Sequence, residues 1–149
     1  MKVAVLMGSP NDGKQMEPAA QTLAEFGIEA DVRVMSAHRT PAVVAEFASS
    51  AREQGYAAII CGAGMAAHLA GAVAAQTTLP VVGVPLASGA LNGVDALYAT
   101  VQMPKGIPVA TVAIGGAMNA ALLVVQMLSI TDAALAAQLD DHRAAMVTR

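Results

Sequence analysis

Aromatic residues are almost missing from this chain: it has no tryptophan, two tyrosines and two phenylalanines, 3% of the total. With a net charge of −3 and no cluster of lysine or arginine, it carries no footprint for nucleic acid. Cysteine is nearly missing too. Cys61 stands alone in an apolar run, which excludes an intramolecular disulfide and fits a reducing cytoplasm. Charged residues make up only 13%, against about a quarter in an ordinary soluble domain. No Asp, Glu, Lys or Arg occurs from Tyr56 to Val94 or from Ile107 to Ile130. Something other than water is expected to cover part of such a surface, so an oligomer is expected. The run from Ile107 to Ile130 is long enough to cross a bilayer, but Pro108, the Gly115-Gly116 pair, Asn119 and Gln126 interrupt it. A buried strand, a glycine turn and a buried helix explain it better. No signal peptide is expected, because Met1 to Leu6 runs straight into a glycine loop rather than a cleavage site. The Walker lysine and the dinucleotide glycine spacing are absent as well, which disfavours ATP and NAD as ligands.

What is present is a 149-residue chain, 56% apolar, most simply a single domain over 1–149 without internal repeat or linker. Lys2 to Met7 is a continuous apolar run of the kind a parallel strand shows when both its faces are covered. It ends at Gly8-Ser9-Pro10-Asn11-Asp12, after which Met16, Ala19, Ala20 and Leu23 recur at helical spacing up to Gly27. Ser9, Asn11 and Asp12 have two readings. They are either helix caps, or a small hydroxyl and free N–H groups for a phosphate with a carboxylate for sugar hydroxyls. The third strand, Tyr56 to Cys61, opens into Gly62-Ala63-Gly64-Met65-Ala66-Ala67-His68, where small residues let a ligand lie against the backbone. His68, one turn into the next predicted helix, is either a satisfied core histidine or a site residue. A fourth strand, Val81 to Pro85, leads to a loop with Ser88, Gly89, Asn92 and Gly93; a short helical run to Val101 and a Pro/Gly turn follow. The fifth strand, Val109 to Ile114, enters the helix Met118 to Leu128, where Asn119 caps or contacts ligand. Thr131-Asp132 starts a last helix with Leu135, Leu139, His142 and Met146 on one face. No strand follows it, so this helix, about 131–147, is expected to dock on a neighbouring subunit, with its own domain as the alternative.

The second strand carries the sharpest signal. Glu29 to Met35 alternates, and Ser36-Ala37-His38-Arg39-Thr40-Pro41 follows, with Thr40 as N-cap and Pro41 at the first helical position. The helix runs on with Val43, Val44, Phe47 and Ala51 inward. His38 and Arg39 then occupy the turn between a strand's carboxyl end and a helix's amino end, where open α/β sheets bind ligands. A lone histidine there could simply finish a loop. Beside a fixed cation it suits an anionic substrate that needs proton transfer. Five such βα units predict an α/β fold, a doubly wound parallel sheet in flavodoxin-like order, with an extra C-terminal helix. In it the loops at Ser9, His38 and Gly64 converge on one site.

Taken together, Gly8 to Asp12, Ser36 to Pro41, Gly62-Ala63-Gly64-Met65-Ala66-Ala67-His68-Leu69, Leu79 to Pro85, Leu91-Asn92-Gly93-Val94-Asp95, Val101-Gln102-Met103-Pro104 and Gly106 to Ala113 resemble the PurE family, the purine-biosynthetic 5-(carboxyamino)imidazole ribonucleotide mutases. The resemblance covers nearly all of Val3 to Leu128 in the same order. It implies three-layer αβα subunits in a homo-octamer whose adjacent chains complete each site, and no metal, biotin or nucleotide cofactor. It implies a ribonucleotide substrate whose carbamate carboxylate moves from the exocyclic nitrogen to the ring carbon. Carried over by position, His38 is the general acid and base, Ser9 binds phosphate, Asp12 the ribose hydroxyls, and Arg39 the phosphate or a nearby anion. Asn11, Ser36, Gly64, Met65 and His68 complete the expected substrate contacts. A cytoplasmic enzyme is implied, and the instability of the carbamate leaves room for a transient contact with the synthetase that forms it. Four positions depart from the family's usual form: Asn11 stands where serine is common, Gly13 where tryptophan is, Met65 where a third glycine is, and Ala70 where proline is. The nearest rival is a carboxylase that uses free carbon dioxide, in which lysine usually follows the histidine; Arg39 and Ala66-Ala67-His68 favour the mutase. A non-catalytic nucleotide-binding module on the same fold is the other alternative.

Overall fold

The computed structural model describes residues 1–147. The apolar run at the start forms β1 (Lys2–Met7), an inner strand of a sheet that also contains β2 (Glu29–Val34), β3 (Tyr56–Gly64), β4 (Val81–Leu86) and β5 (Ala110–Thr111). All pairs are parallel and the order is β2-β1-β3-β4-β5, the flavodoxin-like arrangement. The connecting helices are α1 (Gly13–Glu25), α2 (Pro41–Ser50), α3 (Leu69–Ala74), α4 (Val94–Val101) and α5 (Ala117–Ser129), with α6 (Ala133–Val147) last. None of them, among the described residues, is long and apolar enough to cross a membrane.

The alternation of β1 divides the core in two. Val3, Val5 and Met7 face α1, α5 and α6, packing on Met16, Leu23, Val124 and Val125. Ala4 and Leu6 face α2 and α3, packing on Val44, Phe47, Leu69 and Val73. Fully burying one such aliphatic side chain is worth about 1.5–3 kcal/mol, so the layers hold on apolar area rather than on ion pairs. On α2 the inner face is Val44, Phe47 and Ala48, continued by the buried C-cap Ala51, whereas Val43 points to solvent. On α1, Thr22 is buried with Met16, Ala19 and Leu23, while Ala20 sits at the edge.

Gly83 shows how closely α4 approaches the sheet. A Cβ there would overlap the Thr100 methyl and stand 3.0 Å from Val109 Cγ1. Because Gly83 has an ordinary φ, Gly83→Ala isolates overpacking. It is expected to lower stability by about 1–3 kcal/mol, read as a lower denaturation midpoint with an unchanged denaturant slope.

Three expected elements differ. The fifth strand is only two residues long, Ala110–Thr111, instead of Val109 to Ile114. Gly83 C=O still accepts from Val112 N–H, but two residues on, Pro85 has no N–H to continue the ladder. The chain therefore leaves the sheet and returns one residue out of step, with Gly115 N–H on Pro85 C=O. The last helix begins at Ala133, capped by Asp132, whose Oδ1 accepts from Ala134 and Leu135 N–H; Thr131 is not the cap. Its Leu135 and Leu139 are buried in this same chain's core beside α5, and His142 tilts against Phe26 at 5.7 Å, so the inward face is used at home. Met146 remains exposed. Finally, Thr40 makes no cap bond to α2. Its Oγ1 accepts from Ser36 N–H and donates to Ser36 C=O, closing the turn that carries His38.

Candidate active site

The order 2-1-3 reverses the direction of crossover between β1 and β3, so the loops at their carboxyl ends diverge and leave a crevice. A cavity of about 560 Å³ fills it, within the range of small-ligand sites. Its lining contains Ser9, Asn11, Asp12, Ser36, His38, Arg39, Gly64, Met65 and His68, the whole set of predicted site residues. Asn119, the third residue of α5, is exposed and neither lines this cavity nor caps its helix, whose N-cap is Gly116.

The first wall is a capping box. After β1 the chain makes a single 3-10 turn, Pro10–Asp12, with Ser9 before it. Ser9 Oγ accepts from Asn11 N–H at 3.3 Å, and Asp12 Oδ2 accepts from Ser9 N–H at 3.0 Å. Ser9 and Asp12 thus cap the turn with their side chains, Asn11 joins only through its backbone N–H, and all three line the cavity. Burial pushes the Asp12 carboxyl above its usual range, while the Ser9 N–H and the Arg39 charge pull it back. Arg39 crosses from the second loop to the first: its Nη2 donates to Gly8 C=O at 3.0 Å, and its backbone N–H donates to Ser36 Oγ at 3.1 Å. A guanidinium beside a hydroxyl and a helix start is a fitting cradle for a phosphate.

The opposite wall carries the histidines. His68 is no core residue; it is exposed, at the N-cap position of α3, and not one turn inside the helix as its spacing suggests. Its Nδ1 lies 2.6 Å from His38 Nε2, with the rings edge-on and their centroids 4.7 Å apart. One of these nitrogens must donate and the other accept, so each ring fixes the tautomer of its partner. The pair joins the loops after β2 and β3, 30 residues apart. Sequence reasoning missed two further lining residues with polar side chains, Gln15 and Ser88. Gln15 Nε2 donates to Ala87 C=O at 3.3 Å, tying α1 to the loop after β4. Its position three residues after Asp12, on the same helical face, was the available signal. Among the described residues no group of three or more His, Cys, Asp or Glu is placed to hold a metal ion.

A guanidinium, a hydroxyl and a helix start facing an exposed imidazole pair, at the switch point of a doubly wound sheet, are the arrangement of an α/β enzyme. Residues 2–149 match the family described as AIR carboxylase, and the chain belongs to that family. It is similar to the N5-carboxyaminoimidazole ribonucleotide mutases of Saccharolobus solfataricus, at 57% identity over 129 residues covering 87% of this chain and 82% of that protein, and of Vibrio vulnificus, at 53% over 145 residues covering 96% and 90%. Among solved structures, Treponema denticola PurE aligns with a TM-score of 0.87 at 29% identity, covering 99% of this chain and 92% of that one. The PurE resemblance and the flavodoxin-like α/β fold expected from the sequence are thereby borne out.

Proposed function

We propose that this chain is an N5-carboxyaminoimidazole ribonucleotide mutase of purine biosynthesis, an isomerase that moves a carboxylate from the exocyclic nitrogen to the neighbouring ring carbon. The observation that carries this reading is the hydrogen-bonded His38–His68 pair in one cavity with Ser9, Asp12 and Arg39. Relatives of that printed name, more than half identical along most of the chain, support it.

In this reading Arg39 and Ser9 hold the phosphate, Asp12 accepts from the ribose hydroxyls, and Asn11, Ser36 and Gly64 line the path between them. The base then reaches toward the histidines. An imidazole can give a proton to the carbamate nitrogen, so that the N–C bond breaks and carbon dioxide is released. The aminoimidazole that remains is an enamine-like nucleophile at the adjacent carbon. It attacks the carbon dioxide, and the same imidazole takes the proton that the ring carbon loses. One proton out and one back leaves His38 as it began. Holding both fragments in the cavity makes the second step effectively unimolecular. No cofactor is required by this proton balance.

Assembly into a homo-oligomer, octameric in the family's form, and a cytoplasmic setting belong to the same proposal. Supporting assembly are the apolar side chains a single chain leaves in solvent: Val32 and Val34 on β2, and Val94, Tyr98 and Val101 on α4. Supporting the setting is the buried free thiol of Cys61. A transient contact with the carbamate-forming synthetase would limit loss of an unstable substrate.

A spectroscopic assay of the purified protein tests the function. The carbamate is expected to be converted rapidly on its own, and aminoimidazole ribonucleotide with bicarbonate much more slowly. Conversion only from the latter pair would assign the chain to direct carboxylation, and conversion of neither would leave a nucleotide-binding module.

A further inference from the structure

The loop after β4, residues 87–93, turns through positive φ values at Gly89, Asn92 and Gly93 and is neither strand nor helix. Among the described residues its backbone–backbone hydrogen bonds run only to α4, with Val94 N–H on Leu91 C=O and Leu97 N–H on Gly93 C=O. The single hydrogen bond that ties it to any other element, again among the described residues, comes from a side chain: Gln15 Nε2 donates to Ala87 C=O at 3.3 Å, 72 residues away in sequence. Only the amide nitrogen can meet a carbonyl oxygen, so the orientation of that amide is fixed. Gln15 is the third residue of α1 and follows Asp12 on the same helical face, and both line the cavity. Beside the anchored carbonyl stands Ser88. A Cβ added at Gly64 would stand 2.9 Å from Ser88 Oγ, so the hydroxyl lies against the bare Cα of Gly64, at the end of β3 and four residues before His68. Ser88 lines the cavity, and its hydroxyl makes no hydrogen bond to the protein among the described residues. A hydroxyl both donates and accepts, so this one is open to a ligand.

We propose that Gln15 is a positioning residue: by fastening Ala87 to α1 it holds the Ser88 hydroxyl at the base end of the ribonucleotide, beside Gly64 and the histidine pair. The proposal deepens the mutase reading and rests on it. Asp12, assigned to the ribose, and Gln15, tied to the loop, stand on the same turn of chain, so the sugar and the Ser88 hydroxyl keep a fixed separation. The polar substituents of the imidazole, an amine and a carboxylate, change their bonding during the reaction, whereas the phosphate and ribose do not. A group held at the base end therefore acts mainly on kcat, and a group at the other end mainly on KM. Without the tether the loop is free, and the ordering of Ser88 has to be met again in every turnover.

The test measures kcat and KM on the carbamate for Gln15→Met, Gln15→Glu, Ser88→Ala and the double variant Gln15→Met with Ser88→Ala. Methionine and glutamate match glutamine in length and favour helix, so α1 is kept, which a melting curve checks. At neutral pH neither can donate to Ala87 C=O. Each Gln15 variant is expected to lower kcat about tenfold with KM within about twofold, the effect of one lost hydrogen bond. In the Ser88→Ala background, Gln15→Met is expected to lower kcat by less than about twofold more, because the group it positions is already gone. A merely structural role would lower the melting temperature and leave kcat alone. A Gln15→Met kcat within about twofold of wild type, a loss confined to KM, or effects that multiply in full in the double variant each overturn the proposal. A wild type that converts no carbamate overturns the mutase reading itself, and this inference with it.

Discussion

Replacing His38 with glutamine or asparagine is expected to lower kcat by about a thousandfold while leaving ribonucleotide affinity within about tenfold, or roughly 1.4 kcal/mol. The two variants separate proton transfer from position. His38 meets His68 through Nε2, the far nitrogen of the ring. A glutamine amide reaches about as far and can keep that hydrogen bond, but it neither gives nor takes a proton at neutral pH. Asparagine is shorter and loses the contact as well. If proton transfer dominates, both variants fall together, and glutamine gains little over asparagine. If His38 serves mainly to hold His68 in place, glutamine keeps most of the rate. Affinity changes little in either case, because the groups assigned to the phosphate and ribose lie away from the His38 ring: Ser9 and Asp12 belong to the loop after β1, and the Arg39 guanidinium reaches across to that loop, onto Gly8 C=O. Single-turnover kinetics on the carbamate, with calorimetry of a non-reacting ribonucleotide, reads both quantities. Lost binding with intact chemistry would sink the assignment of His38 as acid and base.

How far the sequence could be read depended on whether the deciding interaction was local. Continuous apolar runs marked β1 and β4, and the Thr-Pro step marked the start of α2, because burial on both faces and a fixed φ act within a few residues. The loops that meet in the cavity could be foreseen from strand order alone. Other features were decided across the chain. Nothing near Val109 shortens β5; the missing N–H of Pro85 on the neighbouring strand does, and periodicity carries no trace of it. His68 sits beside an apolar helix and so read equally well as core; its pairing with His38, 30 residues away, is a tertiary contact. Thr40 had the chemistry of a cap, yet the closer turn through Ser36 competed for its hydroxyl and won. Gln15 was overlooked for the same reason, since its bond partner, Ala87, lies on the far side of the sheet's sequence order. The strain at Met65, whose φ is 52°, leaves no mark in the periodicity; its signal is the resemblance, in which glycine, the residue a positive φ favours, is common at this position.

Replacing Arg39 with alanine is expected to raise KM for the ribonucleotide by roughly a hundredfold with kcat within a factor of about three. Arg39 is the only lysine or arginine among the described residues lining the cavity, so no neighbour can take over its charge. A charge-assisted hydrogen bond is worth about 1.5–3 kcal/mol, and a guanidinium makes two with one phosphate; the loss of about 3 kcal/mol corresponds to that factor. Since the phosphate does not change during carboxylate transfer, the loss falls equally on ground and transition states, which moves KM and spares kcat. Lysine at position 39 keeps the charge without the fork and should recover part of the affinity. The substitution also acts through Asp12, whose carboxyl burial holds above its usual range and Arg39 pulls down. Without Arg39 the Asp12 pKa rises further, so the carboxylate is lost at a higher pH as the medium is acidified. If ionised Asp12 accepts from the ribose hydroxyls, the acid side of the KM–pH profile shifts upward in pH in the alanine variant, and less so in the lysine variant. A profile that only rises in KM, without that shift, would leave Arg39 with the phosphate and remove Asp12 from ribose binding. A collapse of kcat at unchanged KM would instead put Arg39 at the reacting end of the substrate.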